Sequence, residues 1–352
     1  MTTKTNPGNF FEDFQLGQEI RHATPRTVSS GDVALYTALT GSRFALQSAD
    51  SFARALGLEM SPVDDLLVFH IVFGKTVPDV SLNAVANLGY AGGRFGAPVY
   101  VGDTLSTKST VIGLKENSNR QTGTVYVRSV GSNQRGEVVL DYCRWVMVRK
   151  RDQAVEITVS QVPELPDSVR VADLAVPTRL NLDEYDTVQA GSPHLWEDYR
   201  PSERIDHVDG MTIEEAEHAM ATRLYQNTAK VHFNQHTESQ GRFGKRLIYG
   251  GHIISLARAL SFNGLANAVR VAAINGGRHV APTFAGDTIY AWSEVLDAKP
   301  LAGRHDVGAL RLRTFATKDR PCADFPGALE GGKYDPTVVL DLDYWVLMPR
   351  RG

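Results

Sequence analysis

The sequence predicts an α+β protein built from one unit repeated in tandem, each copy an antiparallel sheet packed on a single buried helix. Three observations lead there. The chain matches itself at a nearly constant offset, each copy holds one apolar helical pattern, and alternating runs broken by turn residues follow that helix. The matches keep the same order along the chain. Phe11-Glu12-Asp13-Phe14 falls on Trp196-Glu197-Asp198-Tyr199 at an offset of 185, which also sets Ile20 and His22 on Ile205 and His207. Phe69-His70-Ile71-Val72 meets Gly251-His252-Ile253-Ile254 at 182, and Arg94 to Pro98 with Gly102-Asp103-Thr104 meets Arg278 to Pro282 with Gly286-Asp287-Thr288 at 184. Val125 to Arg128 returns to 185 against Leu310 to Arg313. Trp145-Val146 meets Trp345-Val346 at 200, so the second copy carries about 15 extra residues around Arg320 to Tyr334.

The copies are placed at residues 1–150 and 191–352, with residues 151–190 as a connector. The connector has Pro163, Pro166 and Pro177 and no helical period; Val155 to Val159 is a candidate extra strand, and a connector this long is expected to wrap across a domain face. In the second copy Ile253, Leu256, Ala257 and Leu260 sit at i, i+3, i+4, i+7, with Gly250-Gly251 before them and Asn263-Gly264 after. The first copy repeats this helix from about Pro62 to Thr76. Downstream, Thr124 to Arg128 alternates, residues 131–136 read as a turn, and Val138 to Val148 continues the hairpin. A buried helix followed by antiparallel strands is an α+β arrangement.

Composition removes several function classes. A length of 352 residues with 42% hydrophobic content supports two domains with cores. A formal charge of -3 lacks the basic footprint of a nucleic-acid partner. No apolar run approaches the ~20 residues of a membrane span, and residues 1–8 lack the apolar core of a secretory signal. With only Cys143 and Cys322 there is no disulfide framework, so a cytoplasmic protein is expected. No Gly-x-Ser-x-Gly elbow, phosphate loop or dinucleotide fingerprint occurs; Gly89, Gly92 and Gly93 have the wrong spacing.

An N-terminal strand pair, a Thr-Gly or Asn-Thr loop, a glycine-led central helix, then Arg-x-x-x-Pro with Gly-Asp-Thr follow one another in this chain. That order resembles the MaoC-like enoyl-CoA hydratases of the hot-dog fold, over nearly all of the chain except the connector. The resemblance implies a double hot-dog: in each copy a curved antiparallel sheet wraps a central helix, and the two units pack back to back. Tyr225 to Asn234 and Ile248 to His252 most resemble the branch that interconverts β-methylmalyl-CoA with mesaconyl-CoA and water. It further implies an acyl-CoA substrate, no metal or other cofactor, and a homodimer. Two other functions stay open: an R-specific enoyl-CoA hydratase for other acyl chains, and a non-catalytic acyl-CoA binding protein.

In that family an Asp stands five residues before a catalytic His. Here the His is His232 and the Asp position holds Asn227; the first copy has Gln47 and Ser42 instead, so its site is expected to be degenerate. Histidine suits hydration of a conjugated thioester because its unperturbed pKa of ~6.5 lies near working pH. An amide cannot take a proton but can hold a water. A carboxylate from Asp209, Glu215 or Glu217 is the alternative partner for His232. By the same resemblance Gly251, behind Gly250, offers a helix N-terminal amide to the thioester oxygen as charge develops there. Arg242, Lys245 and Arg246 are candidates for the CoA phosphates or a free substrate carboxylate. His232 and His236 could form a two-nitrogen metal face only on a helix, which the segment does not suggest. Residues present in both copies, namely Arg94 and Arg278, Asp103 and Asp287, His70 and His252, read as fold-keeping.

Overall fold

The computed structural model describes residues 4–155 and 159–351, so the candidate strand from Val155 to Val159 lies largely outside the described residues. The first half runs β1 (Glu19–Thr27), α1 (Ser30–Thr40), α2 (Ala45–Ser48), α3 (Asp50–Ala55), α4 (Asp65–Thr76), β2 (Ala84–Phe95), β3 (Thr104–Glu116), β4 (Thr122–Ser132) and β5 (Val138–Arg149). After α5 (Thr187–Ala190) the second half gives β6 (Arg204–Thr212), α6 (Glu215–Leu224), α7 (Lys230–Phe233), α8 (Gln235–Glu238), α9 (Gly250–Leu260), α10 (Phe262–Leu265), β7 (Arg270–His279), β8 (Thr288–Pro300), β9 (Val307–Lys318) and β10 (Val338–Pro349).

The strands form one antiparallel sheet in the order β1-β3-β4-β5-β2-β7-β10-β9-β8-β6. Each half contributes five strands with the same internal order, and α4 and α9 touch four strands of their own half. A sheet must bend to do this. Register shifts between Ala91 and Arg94, between Val111 and Gly113, and between Asp206 and Gly210 supply bulges that increase curvature. The result is the double hot-dog that the resemblance implied, with one correction. The halves do not sit back to back; they join edge to edge, with Tyr90 opposite Gly277 and Arg94 opposite Ala273. An open edge presents unpaired N–H and C=O groups, and β2 and β7 satisfy each other's.

Both central helices lie within one shared core. All twelve residues of α4 are buried, including the polar Asp65, His70, Lys75 and Thr76. The polar groups inside need partners. His70 Nε2 lies 2.7 Å from Ser255 Oγ, which also accepts from the Tyr36 hydroxyl at 2.9 Å, so α4, α9 and α1 are tied together across the two halves. The repeated residues hold equivalent turns: Asp103 and Asp287 each accept the amide three residues earlier, from Tyr100 and Phe284, at 2.9 Å. His22 and His207 are likewise bonded to Ser109 and Ser293 at 2.7 and 2.8 Å. The connector crosses the outer face of the second half, where Val169, Leu174, Leu180 and Leu182 pack with Ala273, Trp345 and Leu347. Trp345 Nε1 donates to the Val169 carbonyl at 3.1 Å.

Candidate active site

A cavity of about 720 Å³ opens where the halves meet. Its floor comes from α4 and strands β2 and β5 of the first half, and its roof from the segment between Asn227 and Gly250. Gly74 makes this juxtaposition possible: a Cβ there would lie 1.7 Å from the Tyr225 carbonyl oxygen, so only glycine lets α4 meet this backbone. Gln226, at φ +55°, then turns the chain after α6, and the Asn227 amide returns to the Thr222 carbonyl at 2.9 Å. Asn227 is therefore delivered buried to the cavity wall. Its Oδ1 accepts from the Ala229 amide at 3.2 Å, which leaves the side-chain N–H₂ as the group it can offer.

His232 lies on α7, densely surrounded but open to the cavity on one side. Its ring packs 5.6 Å from Tyr249 and 6.3 Å from His218. Nδ1 sits 2.9 Å from the Leu247 carbonyl. A carbonyl only accepts, so Nδ1 carries the hydrogen and Nε2 holds the lone pair. Burial pushes the His232 pKa down to about 4, against the opposing pull of the Leu247 carbonyl, so the ring is neutral at pH 7. The same backbone segment is fixed twice more, by Leu247 N to Val231 O at 3.0 Å and Tyr249 N to His218 Nε2 at 2.9 Å.

Helix α9 starts immediately afterwards, with Tyr249 as its extended N-cap residue. Gly250 lines the cavity, and a Cβ on it would stand 2.4 Å from His279 Nδ1. His279 is held in turn by Tyr90 Oη at 3.1 Å, a contact between the two halves. Burial first, and then His232, lower the His279 pKa to about 4. The floor carries Arg144, fully buried, whose guanidinium lies 4.2 Å from the Phe73 ring centroid.

The mesaconyl-CoA hydratase family model matches residues 1–327. The chain belongs to that family. It is 69% identical to a β-methylmalyl-CoA dehydratase of Chloroflexus aurantiacus over the full length of both chains. It is 60% identical to a mesaconyl-CoA hydratase of Cereibacter sphaeroides, over 99% of this chain and all of the other. A solved MaoC domain protein dehydratase from Chloroflexus aurantiacus superposes over all of both chains with a TM-score of 0.98 at 69% identity.

Within this family member, the sequence-predicted residues separate. His232, Asn227, Gly250 and Arg242 all line the cavity. Gly251 does not; it lies one residue deeper, where a Cβ would be 2.5 Å from Tyr249 Oη. Arg242 is exposed at the mouth beside Phe243. Lys245 lies over the Phe284 ring, and Arg246 pairs with Glu215 at 2.8 Å; neither lines the cavity. None of Asp209, Glu215 and Glu217 reaches it either: Glu215 is taken by Arg246, and Glu217 serves the N-terminus of α6. The acidic residue that does line it, among the described residues, is Glu238. His232 and His236 fall on separate single turns either side of Asn234, so they share no helical face.

Among the lining residues that escaped sequence reasoning are Tyr90, Arg144, Glu238 and His279. A signal existed for two. At the repeat offset of 184 His279 replaces Phe95, and at 200 Arg144 stands where the second copy has Tyr344. A residue that breaks the repeat is a better site candidate than one that keeps it.

The corresponding place in the first half is built differently. Its central helix begins with Asp64 and Asp65, not Tyr249 and Gly250. Asp64 caps the helix at the Leu66 amide at 2.9 Å, and Asp65 pairs with the buried Arg270 at 3.1 Å. Protein carboxylates thus occupy the end of the helix that would attract an anion. Ser42 is bonded to Asp64 and Gln47 to the Val269 carbonyl, so both face protein groups.

Proposed function

We propose that the chain is a hydro-lyase that interconverts β-methylmalyl-CoA with mesaconyl-CoA and water at the single site between its halves. The reading is carried by one observation: a neutral histidine, with its tautomer set by a backbone carbonyl, opens onto the same cavity as a glycine at a helix N-terminus. The family and its relatives agree with this reaction class.

The chemistry follows from those groups. The CoA thioester enters past Arg242 at the mouth, where an exposed guanidinium suits phosphate oxygens. The Asn227 amide holds the attacking water. His232 Nε2 takes one proton from it as the oxygen bonds to the β-carbon of the conjugated thioester. The electron pair moves toward the thioester oxygen, where the N-terminal amide of α9 at Gly250 receives the charge. The imidazolium then returns its proton to the α-carbon, and the histidine ends as it began. Dehydration is the reverse. Losing a positioned acid–base group costs about 10²–10⁴-fold. His232→Ala should lower kcat by that factor without changing the melting temperature by more than a few degrees. The assay follows the conjugated thioester absorbance with mesaconyl-CoA and crotonyl-CoA. A variant within a few-fold of wild type removes His232 from the mechanism. No hydration by the wild type removes the reaction.

A further inference from the structure

The cavity floor holds a charge that the protein leaves unanswered. Arg144 is 0% exposed. Its Nη2 donates to Thr76 Oγ1 at 2.6 Å and Ser81 Oγ at 3.3 Å, while Nε and Nη1 find no hydrogen-bond partner. No carboxylate of the described residues forms an ion pair with it. The two other buried arginines provide the contrast. Arg270 is paired with Asp65 at 3.1 Å, and Arg258 binds the Ala268 carbonyl and feels the charges of Asp64 and Asp65. A buried guanidinium stays charged, and without a counter-ion its desolvation is uncompensated. Asn87, also on the cavity wall, leaves both side-chain amide atoms without partners.

We propose that Arg144, held by Ser81 and sharing the cavity wall with Asn87, is the anchor for the free carboxylate of a dicarboxylic acyl-CoA. This rests on the hydratase reading above and deepens it by assigning the acyl subsite. The position suits a short chain. Arg144 covers the Phe73 ring, and Phe73 lies 5.4 Å from Tyr249, the residue before Gly250. On the other side Tyr90, opposite Arg144 in the β2–β5 ladder, holds the His279 that abuts Gly250. Two side chains on either route, Phe73 with Tyr249 and Tyr90 with His279, separate the carboxylate subsite from the thioester end, a separation that suits a short acyl chain. The arginine is also absent from the repeat, since Tyr344 stands at its equivalent, so symmetry of the fold does not demand it. Arg242, Lys245 and Arg246, exposed or already paired, lack the burial that would make a cation discriminate a carboxylate from a methyl group.

The test compares mesaconyl-CoA with crotonyl-CoA on wild type, Arg144→Met and Arg144→Lys. Wild type should favour mesaconyl-CoA. Arg144→Met should lose about 10²–10³-fold in kcat/KM for mesaconyl-CoA and less than about fivefold for crotonyl-CoA, with the lysine variant between. Equal losses on both substrates would make Arg144 a structural residue and overturn the assignment while the hydratase reading stands. A wild type that hydrates crotonyl-CoA but not mesaconyl-CoA would overturn the mesaconyl reading and the subsite with it. Should the variants fail to fold, inhibition of the wild type decides: succinyl-CoA should bind at least about 30-fold tighter than butyryl-CoA, and equal inhibition refutes the anchor.

Discussion

Replacing Gly250 by alanine adds one carbon to the first turn of α9, on the residue whose amide is proposed to receive the thioester oxygen. That carbon would lie 2.4 Å from Nδ1, 2.5 Å from Cε1 and 2.6 Å from Cγ of His279. Comfortable contact begins near 3.5 Å, so the imidazole must withdraw by about 1 Å or the first turn of α9 must shift by as much. The imidazole is not free to withdraw, because its Nε2 is tied to Tyr90 Oη at 3.1 Å. Either response moves the helix amide relative to His232, and a misplacement of about 1 Å can cost 10²-fold in rate. Gly250→Ala should therefore lower kcat/KM for mesaconyl-CoA about 10²-fold, with overpacking costing ~1–3 kcal/mol of stability. Gly31→Ala is the control, since its Cβ would meet nothing closer than Ser29 Oγ at an ordinary 3.5 Å. Steady-state hydration kinetics and a denaturant titration on the three proteins decide the matter. A Gly250→Ala enzyme within threefold of wild type would remove the helix terminus from catalysis.

Two further outcomes test other parts of the structure. His207 and His252 are buried with pKa values lowered to about 4, chiefly by burial, so the unfolded chain binds their protons first as pH falls from 6.5 toward 4. Stability should thus be intact above pH 6.5 and decline below it, by roughly 2 kcal/mol per histidine at pH 5. Denaturant titrations that match at pH 7.5 and 5 would contradict this. Residues 1–150 expressed alone should aggregate or self-associate, because the cut exposes the β2 edge and the face of α4 that packs with α9. A soluble monomeric half with a single cooperative unfolding transition would mean that the halves do not depend on each other.

The sequence by itself determined the duplication, the glycine-led helix that begins at Gly250, the hairpin around residues 131–136 and the fold-keeping character of the repeated Asp103 and Asp287. Each of these is a local pattern: periodicity reports which face of an element is buried, and turn residues report where it ends. His232 and Asn227 were legible because they occupy positions of a resembled motif on one continuous segment. The wall opposite them was not legible. Tyr90 and Arg144 reach the cavity only because β2 pairs with β7, a contact between residues 179 to 187 positions apart that no local period encodes. Tertiary structure also set Gly250, and not Gly251, on the cavity wall, since a one-residue step along a helix turns a group by about 100°. It decided as well which cations were spoken for. Arg246 and Arg144 look alike in sequence, yet one is paired with Glu215 at the surface and the other is buried without an anion. Solvent and counter-ions set the free energy of a charge, and both are properties of the folded surroundings, not of the residue.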